Sequence, residues 1–333
     1  MKVLFIGGTG NISTACVNRA LSKGMEVTLV TRGQRPSPWG ERVTMLQADR
    51  HNLAAMSRIA SDTRYDVVAN FIGFVPSDIE GDIAAFSGNA GQYVYISSAS
   101  AYQKPVGHYM ITESTPLANP FWEYSRNKIA CEERLMRAYR ETQFPITIVR
   151  PSYTYGETWV PCGVGGQGYT VVDRMRRGVP VISHGDGQAL WVMTANTDFA
   201  VGFVGLFGKS QAIGEAFHIT SDEVLTWDEI YRTIGRAAGV TPDIIHIGSD
   251  FIAAVEPSWG PGLWGDKAHS VAFDNSKLKR VVPEYLATTS FYEGMVRSMA
   301  WFDADPARRG VSAQSNATMD RIISLYQQAL ANV

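Results

Sequence analysis

The chain has 333 residues, 45% of them apolar and 19% charged, with a formal net charge of -2. This is the composition of a folded chain with a large core, and it excludes a disordered or collagen-like protein. Charge so near zero provides no basic field for a phosphate backbone, which speaks against nucleic acid as a partner. The three cysteines, Cys16, Cys131 and Cys162, are far apart and form no CxxC or Cys/His cluster. No metal site is therefore expected, and a reduced cytoplasmic protein is the simplest reading. No apolar run approaches the roughly 18 residues of a membrane span, so no membrane is expected as a partner.

Residues 3–6 are apolar and predict a first strand, which runs directly into GGTGNIS. Residues 12–23 read as a helix with Gly24 as its stop. A helix start offers free N–H groups and partial positive charge, and glycines let the backbone approach a pyrophosphate closely. Gly7, Thr9, Gly10, Asn11 and Ile12 are thus candidate dinucleotide contacts, with Ser13 where a third glycine would be expected. Residues 27–31 predict the second strand, followed by Arg32-Gly33-Gln34-Arg35. A carboxylate at that point would favour NAD, whereas Arg32 can pair with a 2′-phosphate and favours NADP. Asp49 is a candidate adenine contact or a turn residue.

Residues 66–71, 93–97 and 146–150 are further apolar runs. Runs apolar throughout predict strands covered on both faces, and their alternation with helical segments is the doubly wound α/β pattern. The strand at 93–97 ends in Ser97-Ser98-Ala99-Ser100, where a hydroxyl could hold a substrate oxygen. Tyr124 and Lys128 stand four apart in a helix-forming stretch, hence on one helix face. A nearby ammonium is expected to lower the phenol from its usual value of about 10, so that it accepts a proton as hydride leaves a carbinol carbon. Beyond Tyr155 glycine and aromatic residues crowd the chain. Residues 226–238 predict a helix capped by Thr226 with Glu229, and residues 320–331 a terminal helix.

Four motifs in this order, GGTGNIS, SSASAY, YSRNK and RPSYTYG, resemble the short-chain dehydrogenase/reductase superfamily. They are most similar to its extended branch, the NAD-dependent epimerase/dehydratase family. The likeness continues more weakly through Gly185-Asp186-Gly187, Asp198 and GEAFHITSDEVLTWDEI. It implies a Rossmann-type parallel sheet with a smaller C-terminal substrate lobe. Residues 1–158 would form the dinucleotide unit, to which 192–222 return, and 159–333 would be mainly the lobe. It also implies Ser98, Tyr124 and Lys128 as a catalytic triad, with Tyr124 and Lys128 at the cofactor and Lys128 on the nicotinamide ribose. Relatives often pair through the helix that carries YxxxK, so a homodimer is one expected assembly.

Three departures narrow the substrate. Ala99 and Ser100 stand where sugar-nucleotide 4,6-dehydratases of the branch carry Asp-Glu. Tyr153 replaces an asparagine of the sugar-nucleotide enzymes, and Trp191 replaces their diphosphate-binding arginine. A less charged, sugar-like or other small substrate is expected; Trp159, His184 and Trp191 could line its pocket, although core packing is the favoured role for each of these three, and Tyr153 is a further candidate. The expected activity is an NAD(P)-dependent oxidoreductase or epimerase. The stretch LWGDKAHSVAFDNSKLKRVVPEY also resembles the chloroplast stem-loop-binding relatives of the branch. They suggest, as the alternative, an RNA-binding or RNA-processing protein on this fold.

Overall fold

The computed structural model of the chain describes residues 1–34 and 37–332; Arg35, the last residue of the Arg32 stretch, lies outside them. Seven strands form one sheet: β1 Lys2–Ile6, β2 Glu26–Thr31, β3 Thr44–Gln47, β4 Tyr65–Asn70, β5 Ala90–Ile96, β6 Ile146–Pro151 and β7 Glu215–Ile219. Their order is β7-β6-β5-β4-β1-β2-β3, and every neighbouring pair is parallel. β1 pairs on one side with β2 and on the other with β4. The connections reverse there, which is where open α/β sheets leave a crevice at their carboxyl edge.

The apolar runs have a direct cause in this architecture. Val3 and Phe5 of β1 point into a core shared with α1 (Asn11–Ser22) and α5 (Asn196–Gly205). Leu4 and Ile6 point the other way, toward α2 (Leu53–Asp62), α3 (Pro76–Phe86) and α4 (Glu123–Thr142). Both faces are covered, so no residue of 3–6 can be polar without a buried partner. β3 escaped the sequence reading because three of its four residues are exposed at the sheet edge, which erases the apolar signal.

The distal half builds its own core around Val172, Trp191, Trp227, Ile230 and Phe302. α6 (Trp227–Ala237) begins where expected: Thr226 Oγ1 accepts from the Glu229 N–H at 3.1 Å, and Glu229 accepts from the Thr226 N–H at 2.7 Å. The terminal helix α7 runs from Ala313 to Ala331 and so starts earlier than its apolar pattern predicts. Its first turns are polar, and Ser312, accepting from the Ser315 N–H at 3.1 Å, sets the start instead. No helix among the described residues is long and apolar enough to cross a membrane.

Candidate active site

A cavity of about 1020 Å³ follows the carboxyl ends of β1, β2, β5 and β6. Its near wall is the turn between β1 and α1. Gly7 and Gly8 hold φ of +99° and +125°, and a Cβ on Gly8 would stand 3.0 Å from Leu29. Gly10 opens α1, and its N–H donates to Ser13 Oγ at 2.9 Å. Ser13 therefore serves the turn as a cap. Asn11 ties the turn to the distal half: its Nδ2 donates to Thr154 O at 3.0 Å, and its own carbonyl accepts from Asn196 Nδ2 at 2.8 Å. Thr9, Asn11 and Ile12 line the cavity with the glycines.

Arg32 and Asp49 line the same end. The Asp49 carboxyl is held below its usual range, first by the His51 backbone N–H donating to it at 2.9 Å, with the Arg32 charge a lesser cause. The His51 ring also bridges Asp49 and Asp78, at 3.1 Å from each. Arg50 lies buried behind them, donating to Asp78 O at 2.7 Å and to Asp82 at 3.3 Å.

The middle of the cavity holds Ser98, Tyr124 and Lys128. Ser98 follows β5 and caps the single turn Ala99–Ala101. Its Oγ lies 2.9 Å from Ser100 Oγ, which accepts in turn from Ser125 Oγ at 2.7 Å. A chain of three hydroxyls thus links the serine turn to the start of α4. Lys128 is buried; its Nζ donates to Gly73 O at 2.7 Å and Ile96 O at 2.8 Å, and lies 5.8 Å from the Tyr124 ring centroid. Burial pulls its pKa down to about 8.

The expected lowering of the phenol is corrected here. Burial pushes Tyr124 up to about 12, opposed by a hydrogen bond with the Ser98 hydroxyl. The ammonium is turned to two carbonyls, so desolvation outweighs it.

At the far end Tyr153, Trp159 and Trp191 line the cavity. Trp191 is only 2% exposed and packs on Trp227 with ring centroids 5.5 Å apart, so it is wall and core at once. His184 does not join them. It is buried behind the wall, with Nε2 2.8 Å from Lys267 O and its ring against Trp227, and burial drops its pKa to about 4. The sequence reading missed Trp122, Lys104, Asp266, Lys267 and Phe273, which complete this end. Lys104, Trp122, the Asp266-Lys267 pair and Phe273 are scattered along the chain with no motif spacing to announce them. Among the described residues no group of three or more His, Cys, Asp or Glu could hold a metal ion.

A parallel sheet with a glycine turn at the reversal of its strand order defines a dinucleotide-binding α/β protein. The chain belongs to the NAD dependent epimerase/dehydratase family, whose model matches residues 3–219. It is 24% identical to the 2'-dehydrokanamycin reductase of Streptomyces kanamyceticus, over 86% of this chain and 80% of that one. It is also 24% identical to the chloroplast stem-loop binding protein of 41 kDa b of Arabidopsis thaliana, over 74% of this chain and 65% of that one. Among solved structures, Pal from Bacillus thuringiensis superposes with a TM-score of 0.75 at 17% identity, covering 91% of this chain and 99% of the other. UDP-glucuronic acid 4-epimerase from Bacillus cereus, solved with NAD, superposes with a TM-score of 0.71 at 18% identity, over 92% of this chain and all of its own 100%. Family and relatives support a nicotinamide cofactor and an oxidoreductase or epimerase activity.

Proposed function

We propose that the protein moves hydride between a nicotinamide and a carbinol or carbonyl carbon of a small sugar-like substrate, using Ser98, Tyr124 and Lys128 as a short-chain-dehydrogenase triad. One observation carries this reading: the glycine turn and all three side chains line a single cavity. The turn fits a dinucleotide. Gly7 and Gly8 hold backbone conformations that other residues resist, and only Ser13 Oγ lies near a Cβ built on Gly10, leaving the start of α1 open to a pyrophosphate. The dinucleotide, when bound, supplies the hydride donor or acceptor.

The residues do the rest. Ser98 orients the substrate oxygen. The Tyr124 phenol takes the substrate's hydroxyl proton in oxidation and returns it in reduction. A cationic ring brought beside the phenol favours phenolate and opposes the burial that now holds it up. Lys128 keeps the pocket positive and can redirect one N–H toward a ribose hydroxyl. In this reading Arg32 favours NADP over NAD and Asp49 meets the adenine, which their shared position on the cavity wall supports. The likeness to a reductase of an oxidised aminoglycoside supports reduction of a sugar carbonyl, while the epimerase relatives support a cycle that returns the hydride to the same carbon.

We further assign residues 1–158 with 192–222 to the cofactor and 159–333 mainly to the substrate, which β7 at the sheet edge supports. We also propose a reduced cytoplasmic setting, which the three buried free cysteines fit, and a homodimer. The test is Tyr124→Phe against a panel of sugar ketones with NADPH. Cofactor affinity should persist and turnover fall by about three orders of magnitude or more; unchanged turnover would remove Tyr124 from the mechanism. The stem-loop-binding likeness supports a second reading. Tight RNA binding at physiological salt without redox turnover would put that reading first.

A further inference from the structure

Ser98, Ser100 and Ser125 form a line of hydroxyls whose inner end is closed. Ser125 sits in the first turn of α4, one residue past Tyr124, and is fully buried. Among the described residues the one partner of its Oγ is Ser100 Oγ, to which it donates at 2.7 Å. Ser100 is 3% exposed, and its Oγ has two partners, Ser125 and, at 2.9 Å, Ser98. The Ser100 N–H also donates to Ser98 Oγ, at 3.2 Å. One amide holds the backbone at both ends of the line. Asn119 Nδ2 donates to Ser100 O at 2.9 Å, and Asn119 Oδ1 accepts from the Trp122 N–H at 3.1 Å, where α4 begins.

A hydroxyl carries one hydrogen and accepts through two lone pairs, and a buried hydrogen without an acceptor is costly. These two facts set the direction of the line. The Ser125 hydrogen has only Ser100 to go to. The Ser100 hydrogen cannot return along that bond and goes to Ser98. Ser98 then accepts twice, from the Ser100 N–H and from the Ser100 hydroxyl. Both of its lone pairs are filled, and its own hydrogen points into the cavity that it lines with Tyr124 and Lys128. The reverse order, from Ser98 through Ser100 to Ser125, would strand the Ser125 hydrogen where no water reaches it. Each link also polarises the next, so the outermost hydrogen is a stronger donor than that of a lone serine. Burial raises the Tyr124 pKa, and the Ser98 hydroxyl opposes it, as a donor to the phenol oxygen does.

We propose that Ser100 and Ser125 are positioning residues that make Ser98 an obligate donor, so that a substrate hydroxyl finds no acceptor at Ser98 and its proton leaves only to Tyr124. This rests on the redox reading of the cavity and adds two residues to it. A bound carbinol oxygen accepts from Ser98 and donates to the Tyr124 phenolate, which becomes the phenol as the O–H bond breaks. Without the Ser100 hydroxyl, Ser98 keeps its backbone bond but recovers a free lone pair. The substrate hydroxyl, or the phenol itself, can then donate to Ser98 and hold its proton away from the transfer. A phenol that donates in this way is stabilised in its neutral form, and its ionisation moves to higher pH. The charged groups that face the phenol, Lys128 on its own helix and Asp266 across the cavity, are the same in every variant.

The experiment follows tyrosine ionisation by ultraviolet difference absorbance at saturating NADP⁺, each protein against its own Tyr124→Phe counterpart. Ser100→Ala should raise the proton affinity of the phenol about threefold or more. Ser125→Ala should move it the same way by less, because Ser100 keeps its hydrogen. Ser100→Thr, which retains the hydroxyl, should stay with the parent. Ser98→Ala should raise the affinity as well, and adding Ser100→Ala to it should change nothing further, since Ser100 acts through Ser98. NADP⁺ affinity should be that of the parent throughout. If Ser100→Ala does not fold, the double variant with Ser125→Ala, which removes both ends of the buried bond, takes its place. A phenol unmoved by the loss of Ser100, or a shift that persists in the Ser98→Ala background, would overturn the proposal, and a Ser125→Ala phenol equal to the parent would remove Ser125 from it. Failure to bind NADP⁺, or a nucleotide-dependent phenol that survives Tyr124→Phe, would instead overturn the redox reading beneath it.

Discussion

Lys128 and His184 illustrate how burial governs titratable groups in this molecule. Each loses hydration, and each pKa falls, to about 8 and about 4 respectively. For His184 the folded value lies below the unfolded 6.5. The unfolded chain therefore binds the proton more readily, and stability is lost as pH falls from about 6.5 toward 4. Near pH 4 the loss amounts to roughly 3 kcal/mol. In His184→Gln the melting temperature should fall less steeply over that interval; equal slopes would show that another group governs acid sensitivity. At the other end of the cavity, Arg32 is exposed and close enough to act on Asp49. On the proposed NADP reading, Arg32→Asp replaces the cation offered to the 2′-phosphate with a carboxylate. The ratio of NADP to NAD affinity should fall about tenfold or more, as measured by parallel titrations of both nucleotides, and an unmoved ratio would remove Arg32 from the selection.

The elements that meet at the cavity are held by few, well-defined contacts. The β1–α1 turn depends on two glycines. Gly8→Ala forces a φ of +125° on a residue with a Cβ and brings that atom to 3.0 Å from Leu29. A loss of about 1–2 kcal/mol in stability is expected, together with a weakened nucleotide site; chemical unfolding with and without NADPH reads both. Asn119 plays a comparable part for the other wall. It donates to Ser100 O and Gly265 O and accepts from the Phe121 and Trp122 N–H groups at 3.2 and 3.1 Å. Three segments that share no sequence neighbourhood are thereby fixed around one amide.

At the scale of the whole molecule, both faces of the sheet are buried and the cavity spans its carboxyl edge. The central strands were legible in the sequence because burial on two sides leaves only apolar residues in them. The glycine turn was legible because a strand, flexible residues and a helix follow one another without a gap. β3 was hidden because an edge strand with exposed side chains has no apolar period. The direction of the Tyr124 shift was missed because the spacing of Tyr124 and Lys128 gives their helix face but not the carbonyls that Lys128 finds on Gly73 and Ile96. Lys104 and Asp266 reach the same cavity from distant parts of the chain, so no local pattern announces them.

The most direct measurement follows tyrosine ionisation by ultraviolet difference absorbance in the parent and in Tyr124→Phe, each with and without saturating NADP⁺. The mechanism predicts that one phenol, held above its ordinary value by burial in the free protein, moves toward neutrality when the cationic ring is bound, and that this nucleotide-dependent shift is missing from the variant. A bound nucleotide that leaves every phenol where it was, or a shifted phenol that survives in Tyr124→Phe, would contradict it.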